Sequence, residues 1–330
     1  MKIIFRDPKR EFQDLGRAMV KFKRIHAVSL GAALVLTSGC ANTLHVREQA
    51  IPTPLWPQWA RFTKPGEYSV QVETGHQRSA HGCDLTYTHY RPEANRQTSV
   101  PVILAHGFLR QRHHMAGWGR HWASHGLATI TVDLCNMTWW NAHHHRNGAD
   151  LQALAAVFAD GPRIYAGFSA GAMAALLAAS KDPHTRAILA LDPVLAARHD
   201  EALQALRRPR LLLLGTASPC NAHHAGLTRL ARAADAGLAR VLRIPMASHC
   251  QFEWPQGGLC RRLCGGVEPA QAARRIEASI RALATVWLLQ HARPWPVRDP
   301  PRTGLADPFS DLLDDLKQTG RIQPWQGSAE

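Results

Sequence analysis

The pentapeptide Gly167-Phe168-Ser169-Ala170-Gly171 constrains this chain more than any other feature. It follows the apolar run Arg163-Ile164-Tyr165-Ala166 and opens an alanine-rich stretch over residues 172–180. That context reads as strand, sharp turn and helix, the setting of a nucleophile elbow. So tight a turn needs small residues on either side of the serine, hence the glycines. It also lifts the Ser169 hydroxyl above the sheet edge, at the start of the following helix.

A nucleophilic serine needs a base, an acid that orients the base, and an oxyanion hole. Behind an elbow the partners follow in the order serine, acid, histidine. The base belongs in the loop after the last strand. Arg240 to Pro245 reads as that strand, and Ser248-His249-Cys250 follows it, so His249 is the candidate base. The acid usually follows the strand Arg210 to Leu214, but residues 211–234 contain no Asp or Glu. The preceding strand, Ala187 to Leu191, ends in Asp192-Pro193. Adjacent strands stand only about 4.8 Å apart, so a carboxylate there can also reach the histidine. Asp192 is therefore the candidate acid, with Glu253 as the fallback.

The oxyanion hole takes two backbone N–H groups. Ala170, the residue after the serine, supplies one. The loop His106-Gly107-Phe108-Leu109 follows the buried strand Val100 to Ala105 and supplies the other, from Phe108 or else Leu109. Gly107 lets that backbone come close to a substrate.

The 330 residues allow one large domain or two ordinary ones, and 45% apolar content is ample for a core. Strand and helix patterns alternate from about 68 to 291 without a polar linker, which predicts a single α/β domain. An antiparallel pair is expected over Glu67–Gly75 and Cys83–Tyr90, and helices over 115–125, 148–158, 196–206, 228–236 and 269–289. Residues 41–66 read as a tether. Residues 293–330, with six prolines, read as a C-terminal tail. The net charge of +14 is scattered, with no basic stripe alternating with aromatics, which speaks against a nucleic-acid partner. Neighbouring histidines such as His143-His144-His145 and His223-His224 point to opposite faces of an extended chain and make poor metal sites. Trp139-Trp140 lies at the sheet edge that would carry the site, where exposed aromatics could grip an acyl group.

The His106-Gly107-Phe108 loop, the elbow and Leu191-Asp192-Pro193-Val194 together resemble the α/β-hydrolases, over about residues 66–292. Within them the chain is similar to the branch of chlorophyllases, cutinase-like polyester hydrolases and platelet-activating-factor acetylhydrolase. In chlorophyllases and the acetylhydrolase the acid sits at the earlier strand, as Asp192 does here. The resemblance implies a mostly parallel sheet flanked by helices on both faces. It also implies a serine esterase that works without cofactor or metal on a small-molecule or polymeric ester. Thioesterase and phospholipid acetylhydrolase activities are the enzymatic alternatives, and a catalytically idle ligand- or metal-binding module is the alternative of another class. Chlorophyllases usually carry a larger residue where this chain has Ala170. Polyester hydrolases keep their acid where it has Ser218-Pro219-Cys220-Asn221. The substrate therefore does not carry over from either relative.

The first 39 residues read as an export signal: a basic segment over Met19 to Arg24, a short apolar run over Ala27 to Leu36, then Thr37-Ser38-Gly39 before Cys40. Met19 is a possible true start. The segment resembles a lipoprotein signal with Cys40 as the lipidated residue; a plain cleaved signal and an uncleaved anchor are the alternatives. Its removal takes away eight basic and three acidic residues, a loss of five charges that leaves +9. Ala41, in place of a retaining aspartate, points to the outer membrane, so the expected site is the cell envelope with a membrane surface as partner. Six cysteines remain for an oxidising compartment. Their positions favour Cys220–Cys250, Cys260–Cys264 and Cys83–Cys135, with a four-cysteine zinc site as the alternative. The lipid anchor predicts a mature N-terminus at a lipidated Cys40. Mass spectrometry finding an unmodified chain that begins elsewhere would remove the anchor.

Overall fold

A computed structural model describes residues 58–325, apart from 80, 94–99, 139–140, 196–202, 204–205, 228–229, 231–237, 267 and 293–307. The expected export signal, Cys40, residues 41–57, Trp139-Trp140 and most of the helices expected at 196–206 and 228–236 lie outside the described residues.

The fold is α/β. Among the described residues nine strands form one mixed sheet: β1 (Val70–Arg78), β2 (Asp84–Pro92), β3 (Val102–Ala105), β4 (Thr129–Val132), β5 (Arg163–Phe168), β6 (Thr185–Leu191), β7 (Arg210–Leu214), β8 (Ala239–Arg243) and β9 (Gln323–Pro324). The order across the sheet is β1-β2-β4-β3-β5-β6-β7-β8-β9. From β4 to β8 neighbours run parallel. The outer strands β1 and β2 pair antiparallel, as their alternating sequences predict, and β2 joins β4 antiparallel.

The central strands are continuous apolar runs because both of their faces are covered. Successive side chains point to opposite faces, so alternate residues enter separate cores. Val102, Leu104, Ile164, Ala166, Leu189, Leu211 and Leu213 enter one core. Ile103, Ala105, Tyr165, Ile188, Ala190, Leu212 and Leu214 enter the other. The first core is covered by Trp118 and Trp122 of α1 (Ala116–Ser124) and by Ile280, Leu283 and Trp287 of α5 (Ala270–Ala292). The second is covered by α2 (His144–Phe158) and by α3 (Ala170–Lys181). The alanines of α3 let it lie close to the sheet, and Gly148 of α2 packs directly against its Ala174–Ala178 turn.

At the foot of β5, away from the elbow, Asp182 closes the β5–α3 unit. Its carboxylate accepts from Arg163 Nε at 2.5 Å, Arg163 Nη2 at 3.0 Å and the Tyr165 hydroxyl at 2.5 Å. Strand and helix are thus clamped at both ends, by the turn above and this buried pair below. Among the described residues no helix is long and apolar enough to cross a membrane.

The stretch expected as a tail contributes structure of its own. Residues Pro308–Gln318 form α6, an amphipathic helix whose Phe309, Leu312, Leu313 and Leu316 join the first core. Gln323–Pro324 then adds β9 antiparallel to the outer edge of β8. At the other end, Trp59 and Phe62 of the turn Gln58–Thr63, inside the expected tether, pack on the same core. The Trp59 indole also donates to Asp315 of α6 at 3.0 Å. Because Leu312 is fully buried, Leu312→Ala is expected to destabilise the fold by about 2–5 kcal/mol in urea denaturation. A loss within about 0.5 kcal/mol, the range of surface substitutions, would show that α6 is not part of the cooperative core.

Candidate active site

At the top of β5 the backbone turns within one residue. Ser169 has φ 56° and ψ −123°, and α3 begins at Ala170. A non-glycine residue so placed stores roughly 1–3 kcal/mol of strain, which the surroundings must hold. Three hydrogen bonds hold it: Ser169 N–H donates to Leu191 O at 3.0 Å, and Ser169 O accepts from Ala172 N at 3.1 Å and Val194 N at 3.2 Å. A β-carbon on Gly167 would strike the Gly171 carbonyl, and one on Gly171 would strike the carbonyl of His106. Backbone crowding therefore requires both glycines of the pentapeptide.

The side chains chosen from the sequence meet here. The Ser169 hydroxyl lies 3.0 Å from His249 Nε2, and His249 Nδ1 lies 2.6 Å from Asp192 Oδ2. A carboxylate only accepts, so Nδ1 carries the proton and Nε2 is left to accept from the serine. All three residues are buried, Ser169 to within 6% exposure. The Phe168 ring lies 4.7 Å from that of His249, centroid to centroid, and limits its rotation. Glu253, the fallback acid, is engaged elsewhere: its carboxylate holds Arg110 Nε at 2.7 Å and accepts from Gly257 N at 3.0 Å. Burial pushes that carboxyl above its usual range.

Asp192 has more partners than the sequence revealed. Oδ1 accepts from Gly215 N at 2.8 Å and from His224 Nε2 at 3.1 Å. Oδ2 accepts from Asn221 Nδ2 at 3.1 Å as well as from His249. Burial alone would raise the carboxyl's pKa; the bonds from His224 and His249 outweigh it and hold Asp192 below the ordinary carboxylate range. Asn221 and His224 lie on the loop after β7, the acid-free segment where a search for carboxylates finds nothing. The only signal there was His223-His224. Reaching the aspartate takes an unusual backbone, with Ala222, His223 and His224 all at φ between 50° and 60°.

The loop after β3 runs beside the nucleophile. A β-carbon on Gly107 would sit 3.1 Å from that of Ser169. Leu109 N–H is directed to Met137 O at 3.4 Å. Ala170 is the first residue of α3, where N–H groups have no carbonyl partner within the helix. The sequence did not reveal the part played by His106. Its Nε2 accepts from Leu134 N at 3.0 Å, so Nδ1 bears the proton and donates to Gly107 O at 2.7 Å. Burial lowers its pKa to about 4, so the ring stays neutral and fixes the loop.

All six described cysteines are paired, which fits an oxidising compartment and excludes the four-cysteine zinc site. Cys83–Cys135 is as expected. The other two pairs correct the expectation: Cys220 joins Cys264 and Cys250 joins Cys260, instead of Cys220–Cys250 and Cys260–Cys264. The reason is α4, the helix Gly258–Cys264. Cysteines four apart on a helix stand side by side, about 5–6 Å between β-carbons, too far for one bond yet well aimed at two separate partners.

No protein-family model matches the chain, and no curated protein matches it.

The arrangement predicts that His224 governs how well Asp192 serves His249. In His224→Leu the buried carboxylate loses a donor and holds the His249 imidazole less firmly. Phosphonylation of Ser169 by a fluorophosphonate should slow by about ten- to hundredfold, the worth of a hydrogen bond to a charged group. His224→Gln, which keeps an N–H donor, should recover much of the loss. A parental labelling rate in His224→Leu, or a loss in His224→Gln as large as in His224→Leu, would make His224 a packing residue only.

Proposed function

We propose that this chain is an exported serine esterase of the α/β-hydrolase type. The observation that carries the reading is the relay from Ser169 Oγ to His249 Nε2 and from His249 Nδ1 to Asp192, built on a strained elbow. The strand order and the crossing from parallel to antiparallel strands at β2 agree with that fold.

In the proposed reaction, Ser169 Oγ attacks the ester carbonyl carbon as His249 Nε2 takes its proton. Asp192 keeps Nδ1 protonated and stabilises the imidazolium. The tetrahedral oxyanion is met by the N–H groups of Phe108 and Ala170. Collapse breaks the ester C–O bond, and the leaving alcohol receives the proton from His249. Water then attacks the acyl-enzyme with His249 again as base, which releases the acid and restores Ser169. No step calls on a cofactor. Residues 1–39 and Cys40 add the export and lipid anchoring proposed from the sequence, and the three disulfides fit such a destination.

A panel of p-nitrophenyl esters graded by acyl length should be hydrolysed by the parent chain. Ser169→Ala, with unchanged melting, should lose several powers of ten in kcat. Hydrolysis that persists near the parental rate in Ser169→Ala would refute the assignment, and the absence of hydrolysis and of fluorophosphonate labelling in the parent would favour the idle binding module.

A further inference from the structure

Two leucines on one short helix stand exposed beside the site. Leu259 is 53% exposed and Leu263 is 58% exposed, both on α4. Seven residues are too few for a helix to stand alone in water. Burial does little to hold this one, since Cys260 is its only buried residue. It is fastened instead by Cys250–Cys260 and Cys220–Cys264. At about 100° per residue, the two cysteines share the face turned to the body. Arg262 points outward, opposite them. Leu259 and Leu263 lie together on one flank and Arg261 on the other, and both arginines are exposed. From Trp254 to Val267 the sequence has no Asp or Glu, so the surface of α4 is apolar and cationic only.

Its place in the fold is equally specific. Cys250 follows His249 directly, and Cys220 directly precedes Asn221, which holds Asp192. The helix is therefore stapled to both loops that complete the relay behind Ser169. The turn leading into His249 carries another exposed apolar side chain, Met246, at 59% exposure.

We propose that α4 docks onto a phospholipid surface with anionic head groups, the guanidinium group of Arg262 meeting phosphate while Leu259 and Leu263 on the adjoining flank enter the acyl boundary. A basic residue beside an apolar flank is what binding in the interface plane requires, and the net charge of +9 that remains after residues 1–39 draws the chain toward such a surface. Docking there would present the site to esters carried within the surface, and that second half rests on the esterase reading above.

Vesicle flotation tests the docking without any catalysis. The full chain carrying Ser169→Ala is mixed with vesicles of phosphatidylcholine alone or of equimolar phosphatidylcholine and phosphatidylglycerol. Binding should be stronger to the anionic vesicles. It should fall by about fivefold in Arg262→Gln, at roughly 1 kcal/mol per arginine, and by about tenfold or more in Leu259→Ser/Leu263→Ser. Only the leucine variant should keep the parental salt dependence. Because a leader or anchor could bind vesicles independently, a local readout is added: Leu263→p-benzoylphenylalanine should photocrosslink to lipid. The same side chain at Val157, also exposed but on α2, should not. Equal crosslinking at the two positions overturns the proposal. Lipid docking through α4 in a chain that hydrolyses no ester would leave it standing and refute the esterase reading alone.

Discussion

A buried negative charge organises one end of this molecule. Removing a carboxylate from water costs several kcal/mol even in a relaxed protein, and only close donors offset it. Asp192 is fully buried and draws donors from three places: Gly215 at the end of β7, Asn221 and His224 on the loop beyond it, and His249 after β8. The ends of three adjacent parallel strands, β6, β7 and β8, are thereby fixed to one another. Each donor that satisfies the charge also removes a freedom from the loop that carries it. The imidazole facing Ser169 is oriented as a by-product of solving the burial problem.

The second constraint is steric. The Ser169 turn is held by backbone bonds to Leu191, Ala172 and Val194, so β6 supports the turn as well as the acid. Gly167, Gly171 and Gly107 let three backbone segments converge where side chains would not fit. Beneath them, Asp182 locks Arg163 and Tyr165 at the foot of the same unit. Strain at the top can persist because the unit has no slack at the bottom.

Much of this was legible in the sequence, because it is written in local pattern. Continuous apolar runs gave the central strands, alternation gave β1 and β2, and the glycine spacing gave the turn. Asp192 followed from the lack of any acid over residues 211–234, and it lies against His249. What escaped depends on relations that local pattern does not encode. Asn221 and His224 reach Asp192 through three consecutive left-handed residues, none of them glycine, so no turn signature marked them. The cysteine pairing turned on whether Gly258–Cys264 is a helix, and with glycines at its start and only seven residues it gave no periodic signal. The spacing of Phe309, Leu312, Leu313 and Leu316 is that of an amphipathic helix, yet it sits in a proline-rich, acidic stretch whose composition suggested a tail.

The two crosslinks on α4 have a topological consequence. Cys250–Cys260 lies inside the loop closed by Cys220–Cys264, with spans of 10 and 44 residues. Together they make a covalent ring from the loop of Asn221 and His224, through the short helix, to the loop of His249. Noncovalent contacts between two loops can open one at a time, but a ring transmits displacement. A push on α4 from outside is therefore carried through covalent bonds to both loops, the one that bears the imidazole and the one that bears the groups behind Asp192.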